Sequence, residues 1–157
     1  MGQNAAMSST YIQTTIQVVF ATKFREPTLL KPKRANLHAY MAGLLRMRGC
    51  HVYQVGGVED HVHLVFNQHP SVALAKLVKD LKILTSRQIK TEWRDDFPTF
   101  SAWQRGYGAF AYPYTAVPNL VRYVRNQEAH HRTETSQREL RRYLAYHNIP
   151  YDDRYFS

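Results

Sequence analysis

Long apolar runs are missing from this sequence of 157 residues, and none approaches the ~18 consecutive apolar residues that a membrane-spanning helix requires. Cysteine is nearly absent: Cys50 is the only one, which excludes an intrachain disulfide and a thiolate zinc cage and fits a reducing cytosol. Acidic residues are scarce, with twelve Asp and Glu against twenty-one Lys and Arg, a net charge of +9. An excess of that sign suits a polyanionic partner, because each phosphate neutralised releases condensed counterions. No internal repeat, low-complexity linker or nucleotide-binding glycine loop interrupts the chain. The stretch Met1–Ala6 has neither the basic start nor the apolar h-region of a secretion signal, and residues 1–8 are expected to lie outside the fold as a disordered or cloning-derived N-terminus.

What is present reads as one α+β domain. Tyr11–Thr22 is rich in β-branched and aromatic residues and predicts a first strand, followed by a basic loop over Lys23–Pro27. Leu37, Tyr40, Met41, Leu44 and Leu45 recur at helical spacing and predict a helix over about Lys33–Arg48, closed by Gly49. His51–Val58 and His61–Phe66 flank a Gly-Gly and Glu-Asp turn and predict a hairpin. A second helix is predicted over Ser71–Trp93, with Leu74, Leu77, Val78, Leu81, Leu84 and Gln88 on one side and Lys76, Lys79, Lys82, Arg87 and Lys90 on the other. A further strand is expected near Tyr107–Tyr112, and a third helix from Val117 with Thr115 as its cap and Pro118 in its first turn. Ser136-Gln-Arg-Glu139 reads as a capping box opening a last short helix. The order strand, helix, strand, strand, helix, strand is that of a ferredoxin-like split β-α-β sandwich, an antiparallel sheet with two helices on one face and the other face open to hold a site.

Two groups of residues carry candidate chemistry. His61 and His63 stand at i and i+2 of a strand, which places both imidazoles on one face, about 6.5 Å apart along the backbone, with Val62 and Leu64 directed into the core. Such a pair can converge on one cation, although strand surfaces also carry His-x-His by chance. On the third helix Val117, Leu120, Val121 and Val124 form the apolar stripe. Tyr123 lies on its flank, roughly 110° from the stripe's centre, with Gln127 one turn on. A flanking tyrosine can equally be a boundary residue covering a neighbour.

Taken together, these segments resemble the single-tyrosine HUH transposases of the smallest, IS200-like insertion sequences. The resemblance rests on Asp60-His-Val-His-Leu-Val65 and on Tyr123-x-x-x-Gln127 some sixty residues beyond His63. Val19-Phe-Ala-Thr-Lys-Phe-Arg25 and Gly106-Tyr-Gly-Ala-Phe-Ala-Tyr112 extend it, so that it spans about Tyr11–Arg132. It implies a catalytic domain over residues 9–132 and a helical tail, 133–157, to which no chemistry is assigned. It further implies a divalent metal, Mg2+ or Mn2+, on His61, His63 and Gln127, and attack by Tyr123 on a phosphate to leave a 5′-phosphotyrosine and a free 3′-hydroxyl. The implied partner is single-stranded DNA from hairpin-forming element ends, bound by a homodimer with sites shared between chains, in the cytoplasm at a bacterial nucleoid. Lys23, Arg25, Lys76, Lys79, Lys82 and Arg87 are the expected phosphate contacts. Asp60 and His69 are weak candidates for the general base, and His130 and His131 are read as surface or DNA-contacting. The alternatives are a domesticated nickase acting on chromosomal repeats, a non-catalytic single-strand-binding module, and a metal-dependent phosphodiesterase that uses water.

Overall fold

The β-branched and aromatic segments form a four-stranded antiparallel sheet in the computed structural model, which describes residues 9–152. Its strands are β1 (Thr15–Ala21), β2 (His51–Gly57), β3 (His61–Asn67) and β4 (Gly108–Tyr112), in spatial order β2-β3-β1-β4. Helices α1 (Lys31–Met47) and α2 (Leu74–Thr91) are the two crossovers. The expected ferredoxin-like order and hairpin are therefore observed. Expected residues 1–8 and the end of the tail, 153–157, lie outside the described residues.

Alternation decides what each face buries. Val18 and Phe20 of β1 and Val62, Leu64 and Phe66 of β3 point to α1 and α2. They meet Leu37, Met41 and Leu45 of α1 and Leu77, Leu81 and Ile89 of α2 in the main core. Replacing a fully buried leucine here by alanine costs about 2–5 kcal/mol. Trp103 edges onto Phe20 with ring centroids 4.9 Å apart, and its indole N–H donates to Thr85 Oγ1 at 2.9 Å. That bond gives Thr85, inside α2, a reason to be buried.

The opposite sheet face is not open. It carries Val19, Val65 and Phe110 beside Gln17, His61 and His63, and apolar residues in that position need cover. The cover is α3 (Val117–Arg125), a short helix α4 (Gln127–His130) and α5 (Ser136–Tyr146). Leu120 and Val124 pack on Val65, and Tyr143 on Val19 and Phe110. Thr115 does not cap α3; it lies in a 3-10 turn, Tyr114–Ala116, and Pro118 occupies the first turn where no N–H is needed. The helix breaks at Asn126, so Gln127 begins α4 instead of continuing α3. The cap of α5 is Thr135, whose hydroxyl accepts from the Arg138 N–H at 3.2 Å. The expected capping box is therefore not formed: the cap moves back to Thr135, Arg138 takes the N3 position, and Ser136 and Glu139 bond elsewhere.

One close approach fixes the height of α3 over the site. Gly56 pairs with His63 across the hairpin, and a Cβ built on Gly56 would stand 2.6 Å from the Val124 carbonyl oxygen. Only glycine allows the α3 backbone so near the strand. Gly56→Ala is expected to lift α3 and to destabilise the fold by about 1–3 kcal/mol, read as a lower midpoint in urea unfolding at unchanged slope. An unchanged midpoint would show that α3 is not seated on β2.

Candidate active site

Strand β3 brings the two histidines into the interior, His61 1% and His63 0% exposed. Each has its Nδ1 committed outward. His61 Nδ1–H donates to Asp60 Oδ1 at 2.7 Å, and His63 Nδ1–H donates to Gln17 Oε1, also at 2.7 Å. Because a carboxylate and an amide oxygen only accept, both protons belong on Nδ1. In the neutral rings the Nε2 atoms then hold lone pairs, and both point at the same place. His63 Nε2 lies 2.8 Å and His61 Nε2 3.2 Å from Glu139 Oε1 of α5. Gln127 Oε1 is 3.2 Å from His61 Nε2, while its amide nitrogen donates to Glu139 Oε2 at 3.2 Å. His131 repeats the arrangement: its Nδ1–H donates to the Glu134 carbonyl at 2.6 Å, and its Nε2 faces Glu139 Oε2 at 3.2 Å. Three imidazole lone pairs, an amide oxygen and a carboxylate thus converge, and acceptors cannot satisfy one another.

A proton or a cation must resolve that convergence. Burial opposes charging His61, but its bonds to Asp60 and Glu139 outweigh this and raise it to about 9. Burial dominates at His63 and lowers it to about 4. The imidazole bonds also hold the Glu139 carboxyl far below its usual range, against the opposing effect of burial. A single imidazolium is therefore the protein's own solution. A divalent cation is the other, and the residues fit one. His61, His63, His131 and Glu139 offer ligand atoms all within 4.8 Å of one another. Donors spaced 2.8–3.2 Å match the ~3.0 Å edge of an octahedron with ~2.1 Å bonds. Asp60 and Gln17 then serve as the outer partners that orient ligating imidazoles.

Tyr123 stands at the edge of this cluster, its ring centroid 6.1 Å from that of His63 in the same chain. Its phenol donates to Glu139 Oε2, and Arg142 Nη2 donates to the phenol oxygen at 2.9 Å. Glu134 holds Arg142 through both of its carboxylate oxygens, at 3.0 and 3.2 Å. Burial, then Glu139, push the phenol above its usual range, and Arg142 opposes them.

The sequence-predicted residues divide. His61, His63, Gln127 and Tyr123 come together. His131 is not a surface residue, since α4 turns it inward with its side chain 8% exposed. The tail, to which the sequence assigned no chemistry, brings Glu139 and Arg142 to the cluster and the tyrosine. Asp60 orients His61, whereas His69 bonds Ser71 and packs against Gly49, away from the cluster. Among the basic residues, Lys82 donates its ammonium to the Gln104 and Gly106 carbonyls at 2.8 and 2.6 Å. Lys76 pairs with Asp80 at 3.1 Å, and Arg25 reaches Ser136 Oγ at 3.3 Å beside the site. Lys23, Lys79 and Arg87 remain exposed. No signal within the tail marked Glu139, but the His130-His131 pair just beyond Gln127 was a legible hint.

The fold is thus a ferredoxin-like sheet over a buried, acceptor-lined site with a tyrosine at its edge. The chain belongs to the IS200-like transposase family, whose model matches residues 10–127. Among solved structures it is similar to a candidate transposase from Deinococcus radiodurans R1. The two share 19% identity over 76% of this chain and 95% of that one, with a TM-score of 0.60. It is also similar to a REP-associated tyrosine transposase bound to a REP hairpin. Here the identity is 14% over 79% of this chain and 74% of that one, with a TM-score of 0.57. No curated protein matches it. No helix among the described residues is long and apolar enough to cross a membrane.

The convergent acceptors make a metal-dependent stability shift the expected outcome. Mn2+ at a hundred times its dissociation constant should stabilise the fold by ~2.7 kcal/mol, about 5–10 °C in Tm for a domain of this size. His63→Ala should lose that shift, and chelator should reverse it in the unaltered protein. A Tm indifferent to Mn2+ in the unaltered protein would refute the cation reading.

Proposed function

We propose that the protein cleaves and rejoins single-stranded DNA through a covalent bond between Tyr123 and a 5′-phosphate. The observation that carries this reading is the phenol oxygen of Tyr123, shared by Glu139 and Arg142 at the rim of a cation-seeking cluster. His61, His63 and Gln127 would hold Mg2+ or Mn2+, with Glu139 and His131 as further donors. Imidazole-rich sites favour Mn2+. Such an ion supplies charge that polarises the scissile phosphate and stabilises its developing oxyanions.

The chain's own residues do the rest. A phenol is a weak nucleophile until it loses its proton. Glu139 accepts the phenol's hydrogen bond but is too weak a base to take the proton, which passes to solvent, and the Arg142 guanidinium favours the phenolate that remains. Attack forms the bond from Tyr123 Oη to phosphorus and breaks the bond from phosphorus to O3′, which leaves as a 3′-hydroxyl after taking up a proton. The phosphodiester's bond energy is kept in the tyrosine ester, so a 3′-hydroxyl can reverse the step and no nucleotide is hydrolysed.

Hairpin-forming ends are the proposed substrate, supported by the net charge of +9 and by the hairpin on the REP-associated relative. Lys23, Lys79 and Arg87 are the proposed phosphate contacts. Action on DNA would place the protein at the bacterial nucleoid. A homodimer is proposed from the family resemblance, although one chain already brings Tyr123 beside His63.

Tyr123→Phe keeps the ring and its packing. The variant should bind single-stranded oligonucleotide within about threefold of the unaltered protein, since phosphate contacts dominate affinity, yet form no adduct that survives boiling in detergent. Cleavage by the variant without adduct would instead establish a water-using phosphodiesterase. Binding without cleavage or adduct in the unaltered protein would establish a single-strand-binding module.

A further inference from the structure

The loop joining Trp103 to Gly108 is held more firmly than a solvated connection requires. The Gln104 N–H donates to the Ala21 carbonyl at 2.8 Å, and the Phe24 N–H donates to Gln104 Oε1 at 2.9 Å. From α2, Lys82 clamps the carbonyls of Gln104 and Gly106, and Gly106 adopts the φ of +79° that turns the chain. Thus fixed, the loop forms one wall of a pocket of about 520 Å3 whose other wall is α5, through Leu140 and Leu144. That volume lies within the ~300–1,000 Å3 usual for small-ligand sites.

The pocket's chemistry is that of a nucleobase site. Leu140 and Leu144 give an apolar wall, and Tyr107, 41% exposed, gives an aromatic face at the mouth. Unstacked bases bind between such surfaces. Gln104, its Oε1 committed to Phe24, is left with an amide nitrogen to donate to a base edge. His61 and Arg25 line the same pocket, so it borders one of the imidazoles of the donor cluster.

Tyr123 belongs to a different pocket, with Tyr112, Arg142 and His147. In-line displacement puts the attacking and leaving oxygens on opposite sides of phosphorus. The pocket lined by His61 and the 104–107 loop is separate from the one that holds the phenol, so with the phenol entering from its own side this pocket is the recess left for the leaving 3′-oxygen's nucleotide. We infer that the pocket between the 104–107 loop and α5 receives the base of the nucleotide immediately 5′ of the scissile phosphate. The direction of that assignment rests on attack by Tyr123, but occupancy of the pocket requires no covalent step.

The probes are the four deoxynucleoside 3′-monophosphates, which place a base on that side of a phosphate, with the four 5′-monophosphates and inorganic phosphate as controls. They are titrated into the full chain with Mg2+, with the Gln104 side-chain amide and the Tyr107 ring followed by NMR. The 3′-monophosphates should shift both signals and bind about tenfold more tightly than their 5′ isomers, with one base preferred. Tyr107→Ala and Gln104→Ala should each weaken the preferred one about tenfold and level the bases, without altering the affinity for inorganic phosphate. Signals unmoved at millimolar nucleotide, or an equal response to the 5′ isomers, would overturn the assignment. Failure of the tyrosine mechanism is seen separately, as an adduct that persists in Tyr123→Phe.

Discussion

Three imidazoles spend their Nδ1 protons on outward partners and so turn three Nε2 lone pairs toward one buried carboxylate. His61 is held by Asp60, His63 by Gln17 and His131 by the Glu134 carbonyl, and Glu139 stands where the three rings meet. Burying such a set is costly unless positive charge is shared among its members. Most of the surrounding architecture follows from meeting that condition. β3 places two rings, α4 turns the third inward, and α5 crosses the sheet to deliver Glu139 and Arg142. Gly56 lets α3 come close enough for Gln127 and Tyr123 to join.

The same condition shapes the tyrosine. Its phenol has two opposed neighbours, a carboxylate that keeps the proton on and a guanidinium that favours its loss. With only an imidazolium proton balancing Glu139, the carboxylate's influence prevails and the phenol stays protonated. In the proposed reaction a divalent cation, with twice that charge, would draw the carboxylate's electron density toward itself and shift the balance toward Arg142. The proposed reactivity of Tyr123 would then depend on what occupies the cluster.

Much of this was legible in the sequence where the information is local. The alternation in His61-Val-His-Leu-Val-Phe66 fixed which side chains enter the core and which share the opposite face, and the helical spacing of Leu77, Val78 and Leu81 fixed the buried side of α2. What escaped depends on contacts distant in the chain. Glu139 is 76 residues from His63 and sits at a spacing that mimics a helix cap, so its carboxylate looked spent on its own helix. Lys82 belonged to a basic stripe that reads as solvated until the 104–106 carbonyls fold over it. The second sheet face looked open because its apolar residues, Val19, Val65 and Phe110, lie on three different strands and form a patch only in the assembled sheet.

Anomalous diffraction from crystals grown with Mn2+ tests the central claim most directly. The account predicts one strong peak within bonding distance of His61 Nε2, His63 Nε2 and Gln127 Oε1, close to the Tyr123 phenol. A peak confined to the exposed carboxylates, or none at this cluster at full Mn2+ loading, would show that the imidazoles are satisfied by a proton alone. The proposed role for the metal would then be wrong.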